Sequence, residues 1–231
     1  MKFLEIKIVN LTYDIEDKLS LKYGHKLRGY FANRFKEILF HNHFNNGSFR
    51  YGYPLIQYKI INNKPVVLGI NEGANLILDH FLSIERLELE DKIFVSPTSK
   101  LLVKTENLKV DNGYDMPAYK YEFISPWLGL SQKNYKLYRE KYISESEREK
   151  TQFFKKVITG NILSFAKGIK WWVEEEVIVL PFFSDITVKF KGEEMVGFTG
   201  YFLSNVYLPE YIGLGKSTSR GFGTIKREKV V

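Results

Sequence analysis

The segment His41-Asn42-His43 places two imidazole rings one residue apart. With an ordinary pKa of ~6.5, histidine can sit in either protonation state near neutrality and so act as an acid or as a base. Such a pair could cut an RNA chain without a metal ion: one ring would take the proton of a 2′-hydroxyl, and the other would protonate the 5′-oxygen leaving group. A nearby cation would have to steady the charge that develops on the phosphate.

Two other interpretations of these histidines stay open. A histidine in the last turn of a helix can simply interact with the helix dipole. A His-x-His pair could also supply two zinc ligands, with His25 or His80 as a third, although no cysteine and no clustered carboxylate stands near. His80 shares one side of a predicted helix with Leu76 and Ile84, which is typical of a core histidine, and His25 receives no role.

A second candidate site is the glycine-rich loop at residues 213–223, which reads GLGKSTSRGFG. Glycine lets a backbone turn tightly and point its N–H groups at phosphate oxygens, and Lys216 and Arg220 would reinforce that binding. A Walker phosphate loop would need glycine at position 210, which is Glu210, and a Rossmann fingerprint fails because position 218 is Thr218. We therefore expect a clamp on a phosphate backbone, with a plain glycine-rich surface turn as the alternative.

Composition agrees with a polyanionic partner but does not require one. The 231 residues carry a net charge of +7, and aromatic residues, which can stack on unpaired bases, make up 16% of the chain. The absence of cysteine excludes disulfides, thiol nucleophiles and Cys-ligated zinc. No apolar run approaches the ~20 residues that span a bilayer, and the charged N-terminus is unlike a secretory signal, so we expect a cytoplasmic protein without membrane contact.

The elements that must position these residues follow an α+β pattern. Residues 3–9 alternate as a strand, and a helix is predicted over residues 25–40, with an apolar stripe of Leu27, Phe31, Phe35 and Leu39. Its other face carries Lys26, Arg28, Arg34 and Lys36. Strands at residues 54–61 and 66–70, a helix near residues 72–87 and strand pairs within residues 93–110 complete a β-α-β-β-α-β order.

The second half repeats that order. Its predicted elements are a strand at residues 119–124, helices at 133–142 and 145–172, strands at 177–183, 186–191 and 194–202, a short helical turn near 209–212 and a strand at 222–227. The sequence therefore predicts two tandem ferredoxin-like (βαββαβ) domains, at residues 1–112 and 113–231.

On these features the chain resembles the CRISPR-associated repeat endoribonucleases of the repeat-associated RNA-binding superfamily. The glycine-rich loop near the C-terminus matches the family signature in type and position. A basic first helix followed at once by histidine matches the usual place of the catalytic histidine, and a histidine pair one residue apart resembles the type I-B branch. The Tyr121-Glu-Phe-Ile-Ser-Pro126 segment resembles the start of the family's second domain.

The resemblance implies one cut within each repeat of a long CRISPR transcript, with no metal and no cofactor. The 2′-hydroxyl would attack the adjacent phosphate, leaving 2′,3′-cyclic phosphate and 5′-hydroxyl ends. It implies His41 and His43 as acid and base in an order left open, help from Tyr51 or Tyr53, and Lys26 or Lys36 as the cation. The expected RNA-binding residues are Lys26, Arg28, Arg34, Gly213, Gly215, Lys216, Ser217, Ser219, Arg220, Gly221 and Gly223.

Partners and alternatives follow from the same resemblance. CRISPR repeat RNA is the expected partner, while contacts with other CRISPR effector subunits and a homodimer are left open. A non-catalytic scaffold on guide RNA would share the fold and the loop. An unrelated basic protein that binds RNA or metal is the third reading, and bound zinc or the absence of repeat preference would favour it.

Overall fold

The computed structural model describes residues 3–41, 52–112, 119–190 and 192–228. The chain divides into two compact units. The N-terminal unit consists of Glu5–Glu106 together with Thr218–Gly221, and the C-terminal unit consists of Met1–Leu4, Asn107–Ser217 and Phe222–Val231. Four residues of the glycine-rich loop therefore belong to the N-terminal unit.

The N-terminal unit is a four-stranded antiparallel sheet with helices on one face. Its elements are β1 (Leu4–Asp14), α1 (Tyr23–Arg34), α2 (Ile38–His41), β2 (Ile56–Ile61), β3 (Lys64–Ile70), α3 (Glu72–His80), β4 (Arg86–Leu89), β5 (Lys92–Val95) and β6 (Thr98–Leu108). The sheet order is β2-β3-β1-β6, and β4 and β5 form a separate hairpin. This is the ferredoxin-like order, in which the first and third strands lie at the centre.

Apolar periodicity explains how α1 packs. Leu27 and Phe31 lie on its inner face and are fully buried against Val9, Tyr58 and Val67 of the sheet. Burial of aromatic and aliphatic side chains of this size stabilises the fold by about 1.5–3 kcal/mol each. Arg34 consequently stays exposed on the outer face of the helix, whereas Arg28 is half-buried.

The first helix is shorter than the sequence predicts. It ends at Arg34, because Phe35 turns to extended backbone (φ −114°, ψ 134°) while its N–H still bonds the carbonyl of Phe31. A separate short helix, α2, then begins at Ile38. The second predicted helix also stops early, at His80, and residues 86–89 form a strand instead.

The C-terminal unit repeats the ferredoxin-like topology. Its elements are β7 (Tyr119–Phe123), α4 (Gln132–Glu140), α5 (Glu147–Gly168), β8 (Val179–Phe190), β9 (Glu193–Ser204) and β10 (Ile225–Glu228), and the sheet order is β10-β7-β9-β8. Ser131 and Ser146 cap α4 and α5 by accepting hydrogen bonds from the N–H groups three residues on. The tandem ferredoxin-like prediction is confirmed.

An aromatic core fills this unit. Phe123 stacks on Trp127 with ring centroids 5.3 Å apart, and Phe154, Phe198 and Phe202 surround the pair. The two strands predicted at residues 177–183 and 186–191 are one continuous strand, β8, paired with β9 along its whole length. Within the described part of the chain, no helix is long and apolar enough to cross a bilayer.

Candidate functional site

The two ends of the glycine-rich loop, residues 213–217 and 222–223, belong to the C-terminal unit and are called its legs. The N–H of Leu214 bonds the carbonyl of Gly223 at 2.9 Å, and that of Lys216 bonds the carbonyl of Leu128 at 2.8 Å. Gly223 has φ +61°, and a Cβ there would lie 2.0 Å from the carbonyl oxygen of Leu214. The close approach of the two legs therefore requires glycine at this position.

The tip of the loop, residues 218–221, packs on α1 and β2. A Cβ added to Gly24, in the first turn of α1, would lie 2.6 Å from the carbonyl oxygen of Arg220. Gly221 has φ +89°, and a Cβ there would lie 3.1 Å from the carbonyl oxygen of Tyr58. Two glycines thus let the loop backbone approach both elements, and Thr218 is buried at the tip.

This packing brings together two arginines that stand 192 positions apart in the sequence (220 − 28). Burial lowers the pKa of the Arg28 guanidinium. Burial also lowers the pKa of Arg220, and the positive charge of Arg28 lowers it further. Two like charges held close in a partly desolvated place favour an anion between or above them, and arginine suits phosphate because its fork can donate two parallel hydrogen bonds.

Tyr58 connects the arginines to the histidine segment. Its side chain is fully buried, and its hydroxyl donates a hydrogen bond of 2.9 Å to the carbonyl of Phe40, the residue before His41. Burial raises the pKa of Tyr58 well above its usual value, and the nearby Arg28 charge opposes that rise. The loop tip, α1, β2 and the backbone that leads into His41 therefore form one contiguous arrangement.

An open cleft of about 550 Å³ lies at the turn between α1 and α2. It is lined by Arg34, Phe35, Lys36, Glu37 and His80. Nε2 of His80 lies 2.7 Å from Oε1 of Glu37. The centroid of the His80 ring is 4.5 Å from that of the Phe35 ring. Lys36 is exposed on this turn and does not lie on a helix that continues from α1 to His41.

The other predicted cations differ in their surroundings. Nζ of Lys26 pairs with Asp91 at 2.9 Å and with Glu90 at 2.5 Å, and these carboxylates raise its pKa. Arg34 is exposed and donates to the carbonyl of Ser83 at 2.5 Å. The ammonium group of Lys26 therefore contacts two carboxylates.

The structure places the predicted loop residues as follows. Gly213, Gly215, Lys216, Ser217 and Gly223 lie on the legs, and Ser219, Arg220 and Gly221 lie at the tip. Lys216 is exposed, and Gly213 pairs with Thr224 in an isolated bridge. The phosphate-binding role of all these residues stays a prediction.

The histidine pair is only partly within the described chain. His41 is the last residue of α2. His43 and Tyr51 lie outside the described residues. Tyr53 is buried, and its hydroxyl accepts a hydrogen bond from Nε2 of Gln57 at 2.8 Å. In the described residues no three His, Asp or Glu side chains form a group that could hold a metal ion, and His25 is exposed on α1.

Three features of the site were not found from the sequence. The hydrogen bond from Tyr58 to Phe40 needs the tertiary fold, although an inward-facing tyrosine on a strand is a hint that its hydroxyl has a buried partner. Lys59 is fully buried beside the loop tip, and burial lowers its pKa to about 7. His80, predicted to be a core residue, does pack on aromatic rings but also bonds Glu37 at the edge of the cleft.

Comparison with known proteins gives matches over nearly the whole chain. The family model of the Cas6b N-terminal domain matches residues 4–107, and that of the Cas6b C-terminal domain matches residues 113–228. A crystal structure of Cas6b is 32% identical, with a TM-score of 0.86, and the match covers 96% of this chain and 99% of that one.

Two further proteins extend the comparison. A crystal structure of the CRISPR RNA processing endoribonuclease Cas6b is 30% identical, with a TM-score of 0.75, and the match covers 97% of this chain and 100% of that one. An uncharacterised protein of Methanocaldococcus jannaschii is 37% identical over 147 residues, which are 63% of this chain and 95% of that protein.

Proposed function

This chain belongs to the Cas6b family, and we propose that it is an endoribonuclease that cuts CRISPR precursor transcripts within each repeat and so yields mature guide RNAs. One Cas6b relative of known structure is described as a CRISPR RNA processing endoribonuclease, which supports the proposal.

The observation that carries the proposal is the meeting of Arg28 and Arg220 beside the backbone that leads to His41. The loop tip holds Arg220 against α1, where the charges of Arg28 and Arg220 influence each other. Tyr58 then ties the same region to Phe40. RNA phosphates bound by the two arginines would therefore lie near the end of α2.

The chemistry follows from the histidines. One of His41 and His43 takes the proton from a 2′-hydroxyl, whose oxygen attacks the adjacent phosphorus. The bond from phosphorus to the 5′-oxygen breaks, and the other histidine protonates that oxygen. The products are a 2′,3′-cyclic phosphate and a 5′-hydroxyl, and the electrons and protons balance without a metal ion or cofactor.

A cation must stabilise the dianionic charge as the phosphorus becomes five-coordinate. Arg28 and Arg220 are the best-supported groups for this role or for holding the adjacent phosphates, with Lys36 as the cation on the turn before α2. Tyr51 comes after the two histidines in the sequence and is a candidate for orienting the substrate. Lys26 is the weaker candidate because two carboxylates already hold its ammonium group.

The test is cleavage of labelled repeat RNA from the same genome, in EDTA, by the wild type, His41→Ala, His43→Ala and the double variant. Cleavage by the wild type that disappears in the double variant supports the proposal. Tight binding without any cut by the wild type would instead establish the scaffold reading. Neither binding nor cutting would overturn both.

A further inference from the structure

The turn between α1 and α2 packs against the ring of His80. Phe35 lies before the turn and its ring is 4.5 Å from that of His80, while Phe40 lies after it at 5.7 Å. Glu37, within the turn, bonds Nε2 of His80 at 2.7 Å. Three residues of the histidine-bearing segment thus contact one side chain at the end of α3.

This contact matters because helix continuity does not fix the segment. Phe35 breaks α1 with extended backbone, and α2 has only four residues. A single helical turn is unstable by itself, because nucleation costs more than one turn of hydrogen bonds returns. The position of His41 must therefore depend on tertiary contacts. They include the ring contacts of Phe40 and the hydrogen bonds of Tyr58 with Phe40 and of His80 with Glu37.

We propose that His80 and Glu37 are positioning residues for RNA cleavage: their hydrogen bond fixes the turn that delivers His41 to the scissile phosphate. The inference rests on the proposed function and adds a residue pair to it. His80 comes from α3 and is 39 positions from His41 (80 − 41), so it acts as a long-range tether. A misplacement of about 1 Å in a reacting group can cost ~100-fold in rate.

The aromatic contacts and the hydrogen bond can be separated by substitution. His80→Phe keeps a ring between Phe35 and Phe40 and removes the donor. His80→Gln keeps a donor for Glu37 and removes the ring. Glu37→Ala removes the acceptor, and Glu37→Gln keeps an oxygen that can accept. His25→Gln is the matched control, because His25 is an exposed histidine of α1 outside the arrangement.

Single-turnover cleavage of repeat RNA in EDTA, RNA affinity and melting temperature should be measured for each variant. We expect His80→Phe and Glu37→Ala each to lower the cleavage rate constant by about tenfold or more, since both release the turn. The double variant His80→Phe/Glu37→Ala should be no slower than either single variant, because the two residues act as one unit. RNA affinity should change less than twofold, and Glu37→Gln, His80→Gln and His25→Gln should stay within about threefold of the wild-type rate.

The outcomes that contradict the positioning role differ from those that contradict the proposed function. Wild-type cleavage with unchanged rates in His80→Phe and Glu37→Ala would overturn the positioning role and leave the proposed function intact. The same holds if the rate losses of His80→Phe and Glu37→Ala multiply in the double variant, or if His80→Gln and Glu37→Gln lose as much rate. It also holds if cleavage rates fall only in parallel with melting temperature. If the wild type does not cut at all, the proposed function falls and this inference falls with it.

Discussion

The contact between the glycine-rich loop and α1 can be broken by one methyl group. Gly24→Ala places a Cβ 2.6 Å from the carbonyl oxygen of Arg220 and 3.3 Å from that of Tyr58. Both neighbours are backbone atoms, so neither can move aside as a flexible side chain would. The loop tip must shift, and Arg220 with it.

The magnitude follows from two opposing terms. Overpacking costs about 1–3 kcal/mol, whereas replacing glycine by alanine in a helix gains roughly 0.5–1 kcal/mol. The difference is a net loss of up to about 2.5 kcal/mol, which lowers the melting temperature by up to roughly 10 °C for a chain of this size. Losing one charge-assisted contact with a phosphate costs about 1.5–3 kcal/mol, which is roughly 10- to 100-fold in RNA affinity.

The assay is RNA binding at several salt concentrations together with thermal unfolding. For single-stranded RNA the slope of log K against log salt should fall by about 0.7 when one phosphate contact is lost. Gly29→Ala is the matched control: it lies in the same helix, and its Cβ meets nothing within 4 Å. That variant should gain about 0.5–1 kcal/mol of stability and keep the wild-type salt slope. Equal RNA binding and salt slope for Gly24→Ala and the wild type would refute the account of the loop tip.

Four further substitutions test other parts of the structure. Tyr58→Phe leaves the buried carbonyl of Phe40 without its donor, so it should lower the free energy of unfolding by about 1–3 kcal/mol in urea and also slow cleavage. Tyr121→Phe removes a buried hydroxyl of the C-terminal unit and should cost similar stability without slowing the chemical step; equal slowing by both would contradict the tether at Phe40. Lys59→Met removes a buried amine whose pKa is lowered to about 7, so that above pH 7 the unfolded chain holds a proton that the folded chain does not. Wild-type stability should therefore rise relative to Lys59→Met between pH 7 and 9 by up to about 1.4 kcal/mol per pH unit, and a constant difference across that range would show that Lys59 keeps its proton. Ser131→Ala removes the cap of α4 and should cost about 1 kcal/mol of unfolding free energy, with RNA affinity unchanged, by urea titration and binding.

The topology was predictable because both halves keep clear local patterns. Alternating strands, apolar stripes and hairpin signals survive in each half, and the loop stands out by glycine and cation content alone. Helix ends were not predictable in the same way. The stripe Leu27, Phe31, Phe35 and Leu39 predicts one helix, yet the backbone of Phe35 is extended and its ring packs against those of Phe40 and His80, a tertiary contact that the sequence pattern does not show.

The composition of the site also depends on tertiary contacts that the sequence does not show. Arg28 and Arg220 were each predicted to bind phosphate, but only the fold places them together, since residues 218–221 leave their own half and join the other unit. Lys26 and Arg28 are two positions apart on α1 and could not be ranked from sequence. The structure shows that Glu90 and Asp91 from the β4–β5 hairpin hold Lys26, which only the tertiary fold brings about.

The most direct test of the proposed chemistry is the identity of the ends that the wild type produces. Repeat RNA should be cleaved in EDTA with its natural sugars and with a single 2′-deoxy substitution at the cut, and the products analysed by mass spectrometry. The account predicts a 2′,3′-cyclic phosphate and a 5′-hydroxyl on the natural RNA and no cut in the deoxy RNA. A 3′-hydroxyl with a 5′-phosphate, or cleavage that survives the deoxy sugar, would contradict it.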